Sequence, residues 1–248
     1  MLISTDIDPD TNAPTEIPDE PKVLATMQLI YRPDDTRNYL TDITNPSFLN
    51  YNGRIGIELR GSSSQALDKK PYGFTTLLED DDSNNNVSLL GMPSENDWVL
   101  NSLAFDPSMV RDYLSYTLAS NMGNYAPRVH YIEVIVNDDY KGVYFLTEKI
   151  KRDSDRVNLK KIADDEDSFP EVTGGYITKA DKTTGGDEIA WTMPNYGGWD
   201  TNFLHHYPKT QDITSAQANY IENVFYDLEA RTNPANSSIT NGYPSIID

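Results

Sequence analysis

Apolar and polar residues alternate along several segments of the chain, and this period of two predicts β-strands. The segments that show it are Val23–Tyr31, Ile55–Leu59, Tyr72–Leu78, Val129–Val136 and Tyr140–Glu148. Turn-forming residues Asn137–Asp139 separate the last two, which are therefore predicted to form a hairpin. Asn52-Gly53 predicts another turn, directly before Ile55. Two shorter strands are expected at Gly174–Ile177 and Glu188–Trp191, around a turn at Gly185-Gly186.

Apolar residues that recur every three or four positions indicate two helices. The first is predicted to start at Asp106-Pro107, an N-cap residue followed by a proline, and to end at Gly123. Its apolar residues are Met109, Val110, Tyr113, Leu114, Leu118 and Met122, and we expect them to pack in the core. The second helix starts with a capping-box pattern, Thr214–Gln217. Ala218, Ile221, Phe225 and Leu228 lie on one face of it.

Strands with one helix among them and a second helix late in the chain predict an α+β fold. Residues 1–22 are rich in Asp, Glu, Thr and Pro. This composition predicts a disordered acidic lead-in. We find no internal repeat and no Pro/Gly-rich linker.

Composition narrows the possible functions. The chain has 248 residues, no cysteine, 20 basic and 39 acidic residues, and a formal net charge of −19. Such a charge argues against nucleic acid and anionic lipid as partners. No apolar run approaches the roughly 20 residues that span a bilayer, so membrane insertion is not expected. The N-terminus lacks the pattern of a signal peptide. The chain is therefore expected to be cytosolic or a piece of a longer protein.

Common catalytic and metal-binding motifs are not found. The adjacent His205 and His206 point apart on a strand and make no metal site alone. No G-x-S-x-G motif or P-loop occurs, so the sequence assigns no catalytic residue and no metal ligand. The acidic run 79–86 lacks the spacing of an EF-hand. It favours a solvated loop, with calcium binding as the alternative.

Two basic segments stand out in this acidic chain. Arg60-Gly61-Ser62-Ser63-Ser64, followed by Lys69-Lys70, combines cations, hydroxyl groups and a glycine, which can together bind phosphate oxygens. The second segment is Glu148–Arg152. An ordinary solvated loop and a strand end are the alternatives for the two segments.

Twelve short blocks follow one another along the chain: Arg60–Ser64, Lys69–Phe74, Leu89–Pro93, Asn96–Leu100, Asp106, Arg111-Asp112, Met122-Gly123, Tyr125–Arg128, Asn137–Tyr144, Glu148–Lys151, Arg156-Val157 and Gly174–Ile177. In this order, between about residues 50 and 182, they resemble the CotH kinase family. The resemblance implies an atypical protein kinase that transfers the γ-phosphoryl group of ATP to Ser or Thr of a protein substrate, with Mg²⁺ or Mn²⁺.

The resemblance also implies an architecture. Residues 23–182 would form a kinase-like N-terminal lobe, with a mixed or antiparallel sheet and one main helix. Residues 183–248 would begin a helical second lobe. Arg60, Lys69, Lys70, Glu148 and Lys149 would bind the nucleotide.

One departure from the family pattern concerns catalysis. The family's aspartates lie in Asn-x-Asp and Trp-Asp-x-Asp segments well downstream, whereas Trp199-Asp200 comes early and is followed by Thr201-Asn202. The chain is therefore expected to be an inactive portion of a secreted, spore-coat-related or envelope-associated kinase. A non-catalytic attachment or assembly module and a calcium-stabilised structural domain are the competing interpretations. Exposed Trp191 and Trp199 would suit a glycan or protein contact of such a module.

Overall fold

The structure, a computed structural model, describes residues 1–34, 36–183, 187–194, 198–232 and 242–245. The chain divides into two compact units, Met1–Ile150 and Lys151–Asp248. This division differs from the boundary after residue 182 that the sequence predicts.

The first unit is built mainly from strands. Their bounds in the described part of this unit are β1 Leu2–Thr5, β2 Ile7–Asp8, β3 Ala13–Pro14, β4 Val23–Ile30, β5 Leu49–Leu59, β6 Tyr72–Leu77, β7 Asp97–Asn101, β8 Val129–Val136 and β9 Asp139–Glu148. Seven of them form a closed barrel in the order β1-β4-β5-β6-β7-β9-β8, and β2 pairs with β3 separately. The barrel is filled by alternate side chains of its strands, including Ile3, Met27, Ile55, Phe74, Trp98, Val134, Tyr144 and Leu146.

The predicted α+β fold with a kinase-like N-terminal lobe is wrong, because the described residues form mostly sheet, with a closed seven-stranded barrel and two α-helices. β1 pairs antiparallel with β4 and parallel with β8, and so joins the two ends of the sheet. This strand lies in residues 1–22, where the composition predicts disorder. Ile3 of this strand is only 1% exposed. Pairing with two neighbouring strands and packing in the core order β1, although the segment around it is acidic. The turn predicted at Asn52-Gly53 is also wrong, since both residues lie inside β5.

The helix of the first unit, α1, spans Arg111–Asn121 and starts later than predicted. Asp106 still caps it, because its carboxylate accepts hydrogen bonds from the backbone N–H groups of Val110 and Arg111 at 3.1 and 2.9 Å. The expectation that the six apolar residues of the predicted helix pack in the core is wrong, because they are 37–71% exposed. α1 contacts the barrel through Tyr113, whose ring lies 5.8 Å from that of Tyr131, and through Asp112, which accepts from Asn101.

The second unit contains a small sheet and one long helix. The strands are β10 Ile177–Ala180, β11 Trp191–Pro194 and β12 Asp200–Tyr207, in the order β10-β12-β11, and the helix α2 spans Ser215–Thr232. Trp191, Phe203 and Phe225 form an aromatic cluster with centroids 5.0–5.3 Å apart. Trp191 is buried in this cluster, so its predicted exposure is wrong, whereas Trp199 is 71% exposed.

The capping box predicted for the second helix is confirmed, with Thr214 and Gln217 each accepting the other's backbone N–H at 3.3 Å. The strand predicted at Glu188–Trp191 begins only at Trp191. The predicted turn Gly185-Gly186 lies outside the described residues. Neither α-helix of the described ranges is long and apolar enough to cross a membrane.

Candidate functional site

One row of residues crosses the outer face of the barrel, with one residue on each of five neighbouring strands. We call Glu58, Gly73, Val99, Thr147 and Val129 the outer row. Each is the direct cross-strand partner of the next, on β5, β6, β7, β9 and β8. Successive side chains of a strand point to opposite faces, and the core holds the residues next to them in sequence. The outer row therefore faces away from the barrel interior.

The centre of the outer row carries a polar group without a partner. Thr147 is 7% exposed, and its buried hydroxyl has no hydrogen-bond partner in the described part of the chain. Its neighbour Val99 is 5% exposed. Beside Val99, the bare Gly73 leaves space, because a Cβ there would meet only the Glu58 side chain, at 3.4 Å. A buried hydroxyl without a partner costs free energy, so such a group commonly has a ligand or water to bind.

Charged groups lie at the β5 end of the outer row. Burial raises the pKa of Glu58, while the nearby Lys22 and Lys149 lower it. Lys22 Nζ lies 3.8 Å from the Glu58 carboxylate and donates to Thr75 Oγ1 at 2.8 Å. Lys149 is exposed. Lys149, one of the predicted nucleotide-binding residues, therefore interacts electrostatically with Glu58 at this end of the outer row.

Arg60 directly follows β5 and lies near Tyr116 of α1. Its backbone N–H donates to Pro71 O at 3.1 Å and continues the β5–β6 pairing. Burial raises the pKa of Tyr116 on α1, and Asp112 raises it further, while the charge of Arg60 lowers it. Asn101 donates to Asp112 Oδ2 at 3.1 Å. Arg60, Asn101 and Asp112 therefore bring a cation, an amide and a carboxylate to the α1 side of the outer row.

The structure places Lys69 and Lys70 elsewhere, at one end of the barrel. Lys69 Nζ donates to Val143 O and lies 4.6 Å from the centroid of the Tyr144 ring, and burial lowers its pKa. Lys70 Nζ donates to Gln65 O at 2.6 Å. Both ammonium groups are bonded to backbone carbonyls, which is a structural arrangement. Their predicted contact with phosphate stays a prediction.

Glu148 also has a structural environment. Its carboxylate is fully buried, and it accepts from the backbone N–H and the guanidinium of Arg128, both at 2.8 Å. These bonds fix the start of β8 to the end of β9. Glu148 therefore positions the strand that carries Val129, rather than facing the outer row itself.

Residues 57–248 match the model of the CotH kinase protein family. The chain belongs to this family. The resemblance seen in the sequence blocks is thereby confirmed. Among curated proteins, no sequence matches the chain significantly. All five residues of the outer row lie in the range that matches the CotH family, whereas β1 and β4, which close the barrel, precede it.

The CotH match does not by itself assign catalytic aspartates. Asp200 starts β12 as an exposed residue, and Asp181 lies 3.6 Å from Lys179. Within the described ranges, no group of three or more His, Asp or Glu side chains is placed to bind a metal ion.

Sequence reasoning missed Thr147, Gly73 and Val99. Their alternation with core residues could have assigned them to the outer face. Their alignment in one row depends on strand register, which the pattern of a single strand does not contain.

Proposed function

We propose that this CotH family protein binds ATP across the outer row, as part of a kinase that phosphorylates Ser or Thr of a protein substrate. The observation that carries the proposal is the buried Thr147 hydroxyl, which lacks a partner in the described residues and lies in the same row as the open space at Gly73, two strands away. The family match supports the same reaction class.

The residues around this point suit the parts of ATP. Val129, which is half-buried, offers apolar surface to the adenine ring, and the Thr147 hydroxyl could hydrogen-bond to a ring nitrogen once the groups that bury it move aside. The Arg60 guanidinium can bind phosphate oxygens bidentately. Phosphoryl transfer depends mainly on positioning and charge stabilisation, so a cation at this position is the expected contribution.

A divalent cation, Mg²⁺ or Mn²⁺, would neutralise phosphate charge when bound. These ions take oxygen ligands, and the Asp112 carboxylate and the Asn101 amide oxygen near Arg60 are donors of that type. Two such groups are few for a metal site. The nucleotide phosphates would therefore supply most of the ligands.

Calorimetry with ATP and Mn²⁺ tests the proposal through binding rather than turnover. Gly73→Val fills the open space of the outer row, and we expect the affinity for ATP to fall at least tenfold. Arg60→Gln should weaken ATP binding more than adenosine binding, because it removes a phosphate contact. Gly56→Ala is the matched control, since Lys22 already covers that position with carbons 3.4–3.5 Å from the added Cβ. Unchanged ATP affinity in Gly73→Val, with the fold intact, would disprove binding at the outer row.

A non-catalytic attachment or assembly module is the second candidate. The exposed apolar residues of α1, Leu114, Leu118 and Met122, favour it, because such a stripe is typical of a contact surface. A chain that binds no nucleotide in calorimetry would support this candidate. In either case we propose an extracellular or envelope location, which fractionation of cells expressing the full protein would test.

A further inference from the structure

A concave surface of the first unit has none of the outer-row residues in its lining. Its volume is about 1020 Å³, and its lining includes Tyr31, Arg37, Tyr39, Tyr131 and Tyr140. We call it the tyrosine groove. Leu29, Leu90, Ile132 and other aliphatic residues also line it. None of the five nucleotide-binding residues predicted from the sequence is among its lining residues.

One wall of the tyrosine groove is held in place by a nearly buried ion pair. Arg32 forms two hydrogen bonds to the Asp42 carboxylate, at 2.8 and 2.6 Å, and the Asp42 side chain is 6% exposed. Asp42 also accepts from the Tyr39 backbone N–H at 2.8 Å, and the Arg32 guanidinium lies 4.4 Å from the Phe48 ring centroid. The hydrogen bonds from Arg32 hold the pKa of Asp42 down at about 2. The wall that presents Arg37 and Tyr39 is therefore fixed before any ligand binds.

The lining has the composition of a protein-recognition surface. The four tyrosines are 40–57% exposed, so their rings present a large amphipathic area. Tyrosine and arginine are the residues most enriched at the energetic centres of interfaces, whereas Lys and Asp are depleted there. A tyrosine ring also loses little conformational entropy on binding.

The tyrosine groove presents the cationic side chain of Arg37. The Arg37 guanidinium lies 5.6 Å from the Tyr39 ring centroid, and it makes no ion pair with any described residue. The Glu133 carboxylate of the lining already accepts from the Tyr140 hydroxyl at 2.7 Å. Arginine binds carboxylates bidentately, so this site is complementary to one negative group of a ligand.

We propose that the tyrosine groove binds a short peptide segment of a partner protein, with one Asp or Glu between large apolar side chains. The apolar residues would lie on the tyrosine rings and the aliphatic floor, and the carboxylate would pair with Arg37. β8 pairs with β1 at Ile135 and Val136, which lie at the end of the strand. The peptide is recognised through its side chains, by Arg37 and the tyrosine rings. The net charge of −19 would repel a strongly acidic segment, so a single carboxylate fits best.

An array of acetylated, amidated octapeptides tests this proposal on the full chain. The cores are Leu-Asp-Leu and Phe-Asp-Phe on a Gly/Ser background, each with matched Asn and Lys versions. In fluorescence polarisation, we expect an Asp peptide to bind at least tenfold more tightly than its Asn match. Arg37→Gln should remove this difference, and Tyr31→Ala should weaken both peptides. Arg152→Gln is the control, because its guanidinium also lies over a tyrosine ring, 5.2 Å from Tyr207, but does not line the groove.

Three results would overturn the proposal. In the first, no array peptide binds more tightly than its Lys match. In the second, Arg37→Gln, with an unchanged melting temperature, still distinguishes Asp from Asn. The third concerns a different class of ligand. If oligogalacturonate binds through Arg37 and no peptide does, the tyrosine groove binds acidic glycans and the peptide assignment is wrong.

Discussion

At the scale of single residues, Thr147 is a position where stability and the proposed function conflict. Valine has nearly the same shape as threonine but no hydroxyl. Thr147→Val should therefore raise the free energy of unfolding by about 1 kcal/mol, because the buried hydroxyl makes no hydrogen bond to a described residue. The melting temperature should rise by roughly 2–4 °C. The same variant should bind ATP more weakly in calorimetry, since it removes the proposed contact to the ring.

Thr76→Val is the matched control for this prediction. Thr76 is fully buried, and its hydroxyl donates to Asn85 O at 2.6 Å. The same substitution should here destabilise the protein by about 1 kcal/mol, because a buried acceptor loses its donor. If Thr147→Val were equally destabilising, the hydroxyl would have a partner in the free protein, and the case for a ligand at that point would fail.

At the scale of elements, the start of α1 depends on one side chain. The Asp106 carboxylate accepts from the backbone N–H groups of Val110 and Arg111. Its hydrogen bonds from the Ser108 hydroxyl and the Arg111 N–H lower its pKa to about 2. Asp106→Ala should speed amide hydrogen exchange over Arg111–Asn121 and lower the melting temperature. Asp68→Ala, at an exposed position of the same unit, should change neither.

The pH dependence of this cap follows from the lowered pKa. An Asp whose folded-state pKa lies below its unfolded value of 3.8 stabilises the fold fully at higher pH. That contribution should be lost as the pH falls from about 4 to about 2. The difference in melting temperature between the parent and Asp106→Ala should shrink over this range. A constant difference would mean that the carboxylate charge is not what stabilises the helix start.

At the scale of the whole molecule, we expect closure of the barrel by β1 to contribute strongly to the stability of the first unit. Ile3 of β1 is 1% exposed inside the barrel, whereas Ile7 of β2 is 56% exposed. Ile3→Ala should lower the free energy of unfolding by about 2–5 kcal/mol, and Ile7→Ala should change it by less than about 0.5 kcal/mol. Urea unfolding measured by tryptophan fluorescence would compare them. Equal effects would mean that β1 does not close the barrel.

The two units need separate measurements in such experiments. Trp98 is buried in the barrel core, whereas Trp191 lies in the aromatic cluster of the second unit. Because compact units can unfold separately, a single transition should not be assumed. Replacing Trp191 with Phe would leave Trp98 as the buried indole that reports on the barrel.

The site could be predicted from the sequence only in part. The sequence predicted Arg60 as a nucleotide-binding residue, and its role stays a prediction. Lys69 and Lys70 were grouped with Arg60 because they are close in sequence, yet their ammonium groups bind carbonyl oxygens of Val143 and Gln65. Glu148 was grouped with Lys149 for the same reason, yet the Glu148 carboxylate at the end of β9 is buried against Arg128, whereas Lys149 follows the strand and is exposed.

By itself, the sequence determined the main strands, the hairpin, the capping box of α2 and the CotH family membership. These properties are local, because alternation, caps and ordered motifs are read within short stretches of chain. The tertiary structure alone decided that β1 closes a barrel, that Leu114, Leu118 and Met122 are exposed, and that Thr147 lies in one row with Val99 and Gly73. These properties depend on which distant strands pair and in which register, and pairing is set by the free energy of the whole sheet.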